Sequence, residues 1–283
     1  MKDYLELTKP RITLLILVCM AVGYWFGCGV SFHWRVLAHA LLGTALLASG
    51  TSAFNQWYEV DSDAKMRRTR QRPIPAGRIR RRDGLVFGVM LSAAGFAELW
   101  RGTNALAVAL GLFTLLSYLL VYTPMKQRSA ACTVVGAIPG AMPPLIGYAA
   151  AGRGIDAGAM ALFLILFVWQ FPHFDAIGWL YRDDYARGGI RMLPVIDPDG
   201  ELTARRVLAC SLLLIPISLL PPALGMTGPV YAAAAAGAGL GLFYFGLRLG
   251  RERTLARARA LLVASVVYLP VLLAAMVADR RGL

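Results

Sequence analysis

The sequence predicts an all-α protein, a polytopic helical bundle that crosses a membrane about nine times with its N-terminus on the cytoplasmic side. Hydrophobic residues make up 58% of the chain and charged residues only 16%, whereas a soluble domain has about 25% charged residues. The charges cluster between apolar stretches of about 18–24 residues, long enough to cross a hydrocarbon layer of roughly 30 Å. Basic residues accumulate in alternate loops, as expected for a membrane protein with a defined orientation.

The apolar stretches define the predicted spans. These are 12–30, 36–54, 85–100, 105–122, 131–151, Ala157–Leu180, 207–224, 230–249 and 261–278. The third is the shortest and carries Glu98 near its far end. Pro139, Pro143 and Pro144 predict a kink or a break in the fifth. No linker or low-complexity tract interrupts the chain, so residues 1–283 are expected to form a single domain.

The formal net charge of +13 could indicate nucleic-acid binding, but its distribution argues against this. With the N-terminus inside, 24 of the 29 lysines and arginines fall on the cytoplasmic side. The outer side has only Arg35, Arg101, Arg153, Arg280 and Arg281. Most of the 29 lysines and arginines are therefore expected to set the orientation of the chain in the membrane and to contact lipid headgroups. The start of the chain lacks a cleavable secretory signal, so a bacterial inner membrane is the expected location.

Three oxygen-bearing side chains mark the end of the second predicted span. Asn55, Glu59 and Asp63 follow one another at steps of four residues, and such steps keep side chains on one face of a helix. Polar groups at this depth are costly unless they bind something. Alternatively, these three side chains lie at a helix end that is exposed to water, and they bind nothing. Asp61 lies off the stripe, where the helix could already unwind.

A second polar set follows the sixth predicted span. Asp175 and Asp183 share a face through steps of four, and His173 and Asp184, eleven residues apart, also return to one face. A ten-residue spacing from an acid to a proline recurs in both polar loops, 55–82 and 181–206. This weak repeat suggests two related halves that meet at a shared site. We therefore expect the two polar sets to face each other across a cavity.

Carboxylates facing an amide favour Mg²⁺, which takes oxygen ligands and usually shares them with substrate phosphate. Cations that suit phosphate oxygens stand in the same loops. They are Lys65, Arg67, Arg68, Arg72, Lys126, Arg128, Arg182 and Arg187. A diphosphate held in this way is a good leaving group, and an allylic chain that loses it forms a stabilised carbocation. Apolar walls would hold an isoprenoid tail and exclude water.

Segments spread over nearly the whole chain resemble the UbiA superfamily of intramembrane prenyltransferases. They are TKPR at 8–11, the Asp-rich stretch at 55–73, YTPMK at 122–126, 140–148, 169–174 and 182–194. The Asp-rich stretch is typical of the whole superfamily. PPLIG at 143–147 and PHF at 172–174 narrow the resemblance to the branch that farnesylates protohaem. The chain departs from the pattern at Glu59, often an aspartate in the superfamily, and at Asp175, where an aromatic residue is expected.

The resemblance implies nine helices and transfer of farnesyl from farnesyl diphosphate to a vinyl group of haem B, with addition of water. It implies Mg²⁺ as cofactor, with catalytic metal ligands Asn55, Glu59, Asp63, Asp183 and Asp184. The diphosphate would be bound by Lys65, Arg67, Arg68, Arg72, Lys126 and Arg182. Haem would contact His173, Trp169 and Tyr122, while Asp175 and Asp61 are candidate extra ligands.

Two other functions stay open at this stage. Another enzyme of the superfamily would use the same diphosphate site but prenylate a quinone precursor or a different aromatic acceptor. A transporter or a haem-handling membrane protein without chemistry would also accommodate intramembrane carboxylates and a weak repeat. A haem A synthase or a terminal-oxidase assembly factor is an expected partner if haem is the acceptor, and no nucleic acid is expected.

Overall fold

A computed structural model of the protein describes residues 1–281, and regular structure in them is helical. In chain order the helices are α1 (Lys2–Leu7), α2 (Pro10–Gly27), α3 (Trp34–Tyr58), α4 (Val60–Lys65), α5 (Arg81–Gly102), α6 (Ala105–Leu116), α7 (Thr123–Met125), α8 (Cys132–Gly140), α9 (Met142–Ala150), α10 (Ala157–Leu180), α11 (Arg182–Arg187), α12 (Leu193–Ile196), α13 (Glu201–Ser218), α14 (Leu220–Ala223), α15 (Pro229–Arg251) and α16 (Leu255–Ala278). A π-helix, Ser117–Tyr122, joins α6 to α7.

Nine helical segments of residues 1–281 are long and apolar enough to cross a membrane, which confirms the predicted fold class and number of spans. Several begin earlier than predicted. Helix α5 begins at Arg81 rather than at 85, α13 at Glu201 rather than at 207, and α16 at Leu255 rather than at 261. Hydropathy marks only the apolar part of a helix. The first turns of these helices carry charged side chains, which can extend to the membrane interface, so the helices begin before their apolar stretches.

The fifth span divides into α8 and α9 at Ala141, as its prolines predict. Gln170 of α10 packs beside the break and donates its side-chain N–H to the carbonyl of Ala137 (3.0 Å), which also accepts from the N–H of Ala141 (3.1 Å). Helix α9 packs closely on α2. A Cβ on Gly147 would lie 1.9 Å from the carbonyl oxygen of Met20, so only glycine permits this approach of two backbones.

Helix α10 lies in the middle of the bundle, in contact with α8, α9, α13 and α16, while α3 packs along α5. Glu98 of α5 is compensated by His39 of α3, with Oε1 and Nδ1 2.8 Å apart, so this acid is tolerated in an apolar span. The short helices α4 and α11 follow the ends of α3 and α10 and contact each other. Both polar loops therefore meet at one end of the bundle.

Candidate active site

The end of α3 and the start of α4 carry the first polar set. Although α3 ends at Tyr58, helical hydrogen bonding continues through the junction. The N–H of Glu59 donates to the carbonyl of Asn55 (2.9 Å), and the N–H of Asp63 donates to that of Glu59 (2.7 Å). All three side chains are buried, and the Asn55 amide donates to the Glu59 carboxylate. The stripe of three oxygen-bearing side chains is therefore present on one face.

Two cations pair with these carboxylates. Lys126 Nζ lies 2.6 Å from Glu59 Oε1 and 3.2 Å from Asn55 Oδ1. Arg72 Nη1 lies 2.6 Å from Asp63 Oδ2. The other oxygen of Asp63, Oδ1, is buried and makes no hydrogen bond within residues 1–281. A buried carboxylate oxygen without a partner is costly, so this atom marks a position where a cation would be stabilised.

The two carboxylates differ in how well protein cations compensate them. Although burial tends to raise it, the pKa of Glu59 lies below its ordinary value because Lys126 is beside it. Burial raises the pKa of Asp63 above its ordinary value, in spite of the nearby Arg72. Asp63 is therefore the acid that a further cation would stabilise most.

Lys9 adds a third cation that the sequence does not mark as a site residue. It joins α1 to α2 with a left-handed backbone of φ 48°, and no other non-glycine residue of 1–281 has a positive φ. Strained conformations of this kind concentrate at functional sites. Burial, together with the charges of Arg72 and Lys126, lowers the pKa of Lys9 to about 7. A bound anion would therefore stabilise the charged form of Lys9.

Tyr118 and Tyr122 line the cluster from the π-helix. Tyr118 donates its hydroxyl to Asn55 Oδ1 (2.9 Å), and the Lys126 ammonium lies 4.5 Å from the centre of the Tyr122 ring. Tyr122, predicted to contact haem, thus lies beside the carboxylates. Steps of four through Tyr118, Tyr122 and Lys126 predict a shared helix face, and this signal could have identified Tyr118 from the sequence.

Asp184 of α11 ties the second polar loop to the first. Its Oδ1 accepts from the backbone N–H of Arg67 (2.7 Å) and its Oδ2 from that of Arg68 (3.1 Å), while Arg187 donates to Oδ1. Although burial tends to raise it, the pKa of Asp184 is held below its ordinary value by those two N–H groups. The loops meet as predicted, but this carboxylate binds backbone amides instead of facing the first polar set.

The predicted set of five metal ligands is not assembled. Asp183 is exposed in the first turn of α11, and neighbours on a helix project about 100° apart, so Asp183 and Asp184 do not share a face. The described chain contains no group of three His, Cys, Asp or Glu side chains placed to hold a metal ion. The oxygen cluster that does form consists of Asn55, Glu59 and Asp63.

The two candidate extra ligands lie outside this cluster, and the structure corrects both predictions. Asp61 is exposed, and its Oδ2 lies 3.8 Å from Arg81 Nη1. Asp175 is fully buried, and the guanidinium of Arg206 binds both of its oxygens. An ion pair between α10 and α13 therefore satisfies Asp175 without a metal.

The predicted diphosphate-binding cations divide into two groups. Arg72 and Lys126 belong to the carboxylate cluster. Within residues 1–281, four others form no ion pair with Glu59 or Asp63: Lys65, Arg67, Arg68 and Arg182. The Arg182 guanidinium lies 4.8 Å from the centre of the Trp179 ring and donates to the carbonyl of Pro198 (3.3 Å).

Trp169 and His173, both predicted to contact haem, lie one turn apart on α10. Their rings stack with centroids 4.7 Å apart. Both contact Ser265 of α16, Trp169 through Nε1 (2.8 Å to the carbonyl oxygen) and His173 through Nδ1 (2.9 Å to Oγ). This aromatic pair faces α16, whereas Tyr122 belongs to the carboxylate cluster.

Residues 16–274 match the UbiA prenyltransferase family. The chain belongs to this family. It is 53% identical, over 100% of both chains, to a protein of Solibacter usitatus named protoheme IX farnesyltransferase. It is 45% identical to a protein of Koribacter versatilis with the same name, over 99% of this chain and 94% of that one. The fold is similar to that of a UbiA homolog from Archaeoglobus fulgidus bound to GPP and Mg²⁺, with a TM-score of 0.72, 17% identity and coverage of 97% and 99%.

As a UbiA prenyltransferase with nine apolar helices in its described residues, the protein is an integral, multi-pass membrane enzyme. A second solved structure, of digeranylgeranylglyceryl phosphate synthase, has a TM-score of 0.82 at 17% identity and covers 98% of this chain and 97% of that one. The Archaeoglobus fulgidus homolog has been solved with Mg²⁺ and with Cd²⁺. Divalent cations therefore bind to at least one protein of this fold.

In this UbiA prenyltransferase, Asp184 is expected to hold the segment 65–72 in place. Replacing Asp184 by alanine should speed hydrogen exchange in segment 65–72 by about tenfold or more, because each hydrogen bond to a charged acceptor contributes about 1.5–3 kcal/mol. Hydrogen–deuterium exchange with mass spectrometry measures this. Asp199→Ala, at an exposed residue of the same loop, is the matched control and should leave the segment unchanged. Equal exchange in the two variants would show that Asp184 does not clamp the loops.

Proposed function

We propose that this chain transfers a farnesyl group from farnesyl diphosphate to a vinyl group of haem B, with addition of water and release of diphosphate. One observation carries the reaction class: within residues 1–281 Asp63 Oδ1 is buried without a partner, in a cluster that also contains the basic side chains of Lys9, Lys126 and Arg72. Such a cluster accepts a cation and an anion together, which is what a metal diphosphate provides. The relatives named protoheme IX farnesyltransferase, similar over their full length, support the acceptor.

The oxygen atoms of Asn55, Glu59 and Asp63 fit Mg²⁺, which prefers carboxylate and amide oxygens and shares its other positions with phosphate and water. When bound, Mg²⁺ would neutralise charge that develops on the diphosphate as it leaves. Asp63 would hold it through the free Oδ1. Glu59 would provide a second carboxylate to the ion, and the neighbouring Lys126 keeps this carboxylate ionised. Asn55 is oriented by the Tyr118 hydroxyl.

Lys126, Arg72 and Lys9 would bind the diphosphate oxygens directly. The bond between farnesyl C1 and the diphosphate oxygen breaks with both electrons leaving on oxygen, so negative charge grows where these cations stand. An ammonium or guanidinium that is already held in place needs no reorganisation during this step. Their contribution is therefore larger than that of equally charged groups on a flexible surface.

The farnesyl cation would then be attacked by the electron pair of a haem vinyl group, which forms a new carbon–carbon bond. Water adds to the carbocation left on the former vinyl carbon and becomes the hydroxyl, and the proton it releases can leave on the diphosphate. No strong base is required for this sequence, so positioning and exclusion of stray water account for the protein's role. Trp169 and His173 are the proposed haem contacts.

The same proposal places the enzyme in a bacterial inner membrane with its carboxylate cluster toward the cytoplasm. The 24 lysines and arginines on the side that carries both polar loops support this orientation. The named relatives are bacterial proteins. Farnesyl diphosphate would then reach the carboxylate cluster from the cytoplasmic leaflet, with its apolar tail among the spans.

Product analysis separates the possible acceptors. The purified chain in detergent, given farnesyl diphosphate and Mg²⁺, is expected to convert haem B to a hydroxyethylfarnesyl product and to release diphosphate in equal amount. With 4-hydroxybenzoate instead of haem, no prenylated product is expected. Mass spectrometry identifies the products. Prenylated 4-hydroxybenzoate without a haem product would overturn the acceptor, and no diphosphate release with any acceptor would overturn the reaction class.

A further inference from the structure

Ser265 of α16 contacts both residues of α10 that are proposed to meet haem. It is completely buried. Its carbonyl accepts from Trp169 Nε1 (2.8 Å), and its hydroxyl lies 2.9 Å from His173 Nδ1. The Trp169 and His173 rings are inclined by only 20°, at a centroid distance of 4.7 Å. One residue of α16 therefore holds a stacked aromatic pair in place.

The position of the imidazole proton follows from the other contact of the Ser265 hydroxyl. This hydroxyl donates to the carbonyl of Leu262, at 2.7 Å. A serine hydroxyl has one hydrogen and two acceptor lone pairs. Both contacts are hydrogen bonds at once only when the Ser265 oxygen accepts from His173, and this arrangement puts the imidazole proton on Nδ1. A neutral imidazole protonated at Nδ1 has its lone pair at Nε2.

The second ring nitrogen of His173, Nε2, belongs to a side chain that is only partly buried. Within residues 1–281, His173 Nε2 makes no hydrogen bond, while Trp169 covers one face of the ring. Neutral imidazole nitrogen is a common ligand for iron, and such histidines usually donate their second N–H to a neighbouring acceptor. The hydroxyl of Ser265 provides this acceptor.

We propose that Ser265 is a positioning residue: it keeps His173 protonated at Nδ1, so that Nε2 can coordinate the iron of the acceptor haem. This rests on the proposed function, because haem is the acceptor there. The orientation of the ring is set by Trp169 and Ser265 together. Ser265 does not touch the haem, and it acts through the proton position and the plane of the imidazole.

Binding of ferric haem B alone, without farnesyl diphosphate, tests this in the full chain in detergent. Absorption and electron paramagnetic resonance spectra report whether an imidazole coordinates the iron, and titration gives the Kd. His173→Ala should abolish the imidazole signature. Ser265→Ala keeps the carbonyl that holds Trp169 but loses the hydroxyl, so we expect haem affinity to fall about tenfold, as when an outer partner of a metal ligand is removed. Ser265→Thr retains a hydroxyl and should restore the affinity.

Ser211→Ala is the matched control, since Ser211 is also completely buried but its hydroxyl has no partner within residues 1–281. Its haem affinity and spectrum should equal those of the unsubstituted chain. Ser265→Ala with an unchanged Kd and spectrum would overturn the role of Ser265 while leaving haem binding intact. His173→Ala with an unchanged imidazole signature would overturn the ligand assignment. An unsubstituted chain that binds no haem would overturn the proposed acceptor itself, and this inference with it.

Discussion

Replacing Asp63 by asparagine is expected to lower kcat by about 10³-fold, because a metal at a leaving diphosphate is worth several kcal/mol and about 4 kcal/mol corresponds to that factor. Asparagine keeps the size of the side chain and one oxygen but removes the charge. Asp63 is completely buried, Arg72 occupies Oδ2, and Oδ1 has no partner within residues 1–281. The loss should therefore appear in turnover more than in folding.

The change in kcat is measured as the rate of diphosphate release. Farnesyl diphosphate and acceptor are kept saturating, and the Mg²⁺ concentration is varied. Asp61→Asn is the matched control. Asp61 lies on the same six-residue helix α4, but its side chain is 85% exposed. This variant should stay within about twofold of the unsubstituted chain, since exposed charges interact weakly through water. Near-normal turnover of Asp63→Asn at any Mg²⁺ concentration would remove Asp63 from the proposed metal site.

The spans and the first polar stripe could be predicted from the sequence because both depend on local rules. A span needs an apolar stretch of sufficient length. The stripe needs only that helical hydrogen bonds continue from Asn55 through Glu59 to Asp63, as they do across the end of α3. Steps of four then bring the side chains together whatever the rest of the chain does.

The role of Asp184 could not be predicted in this way. Periodicity indicates which face a side chain is on, but not what it meets there. The donors to Asp184 are backbone N–H groups of Arg67 and Arg68, which are 117 and 116 residues away in the sequence. Backbone amides are the same at every non-proline residue, so no residue type marks them as partners. Only the folded arrangement of the two loops identifies them.

Lys9 was missed for a related reason. In the sequence it is one of many cations on the cytoplasmic side, where the positive-inside rule accounts for it completely. Its proximity to Arg72 and Lys126 arises from the left-handed turn between α1 and α2. A lysine before a proline gives little indication of such a turn, because this position more often takes an extended conformation.

Asp175 shows how a polar residue in a span can be mistaken for a ligand. From the sequence, an unexplained acid near a predicted metal site suggests a further metal contact. In the structure, Arg206 from α13 approaches it with both guanidinium donors. The arginine is 31 residues away and stands at the end of the polar loop 181–206, just before the predicted span 207–224. The pair thus joins α10, in the middle of the bundle, to α13.

Replacing Arg206 by methionine should therefore lower the free energy of unfolding by about 3–5 kcal/mol, since removal of one partner leaves a buried charge without compensation. Asp175 is completely buried. Asp175→Leu should lower the free energy of unfolding by less, because the Arg206 side chain is 19% exposed. This long side chain can extend toward the membrane interface. Unfolding in mixed detergent micelles, monitored by tryptophan fluorescence, measures both.

The double variant Asp175→Leu with Arg206→Met decides whether the cost comes from the unpaired charge. Apolar replacement of both partners of a buried pair is often close to neutral, so the double variant should recover most of the stability lost in Arg206→Met. Arg205→Met is the control one residue away. Arg205 pairs with Glu201 on the surface, with side chains 72% and 56% exposed, and its loss should cost less than about 1 kcal/mol. If the double variant is as unstable as Arg206→Met, the arginine stabilises the bundle through packing and not through its charge.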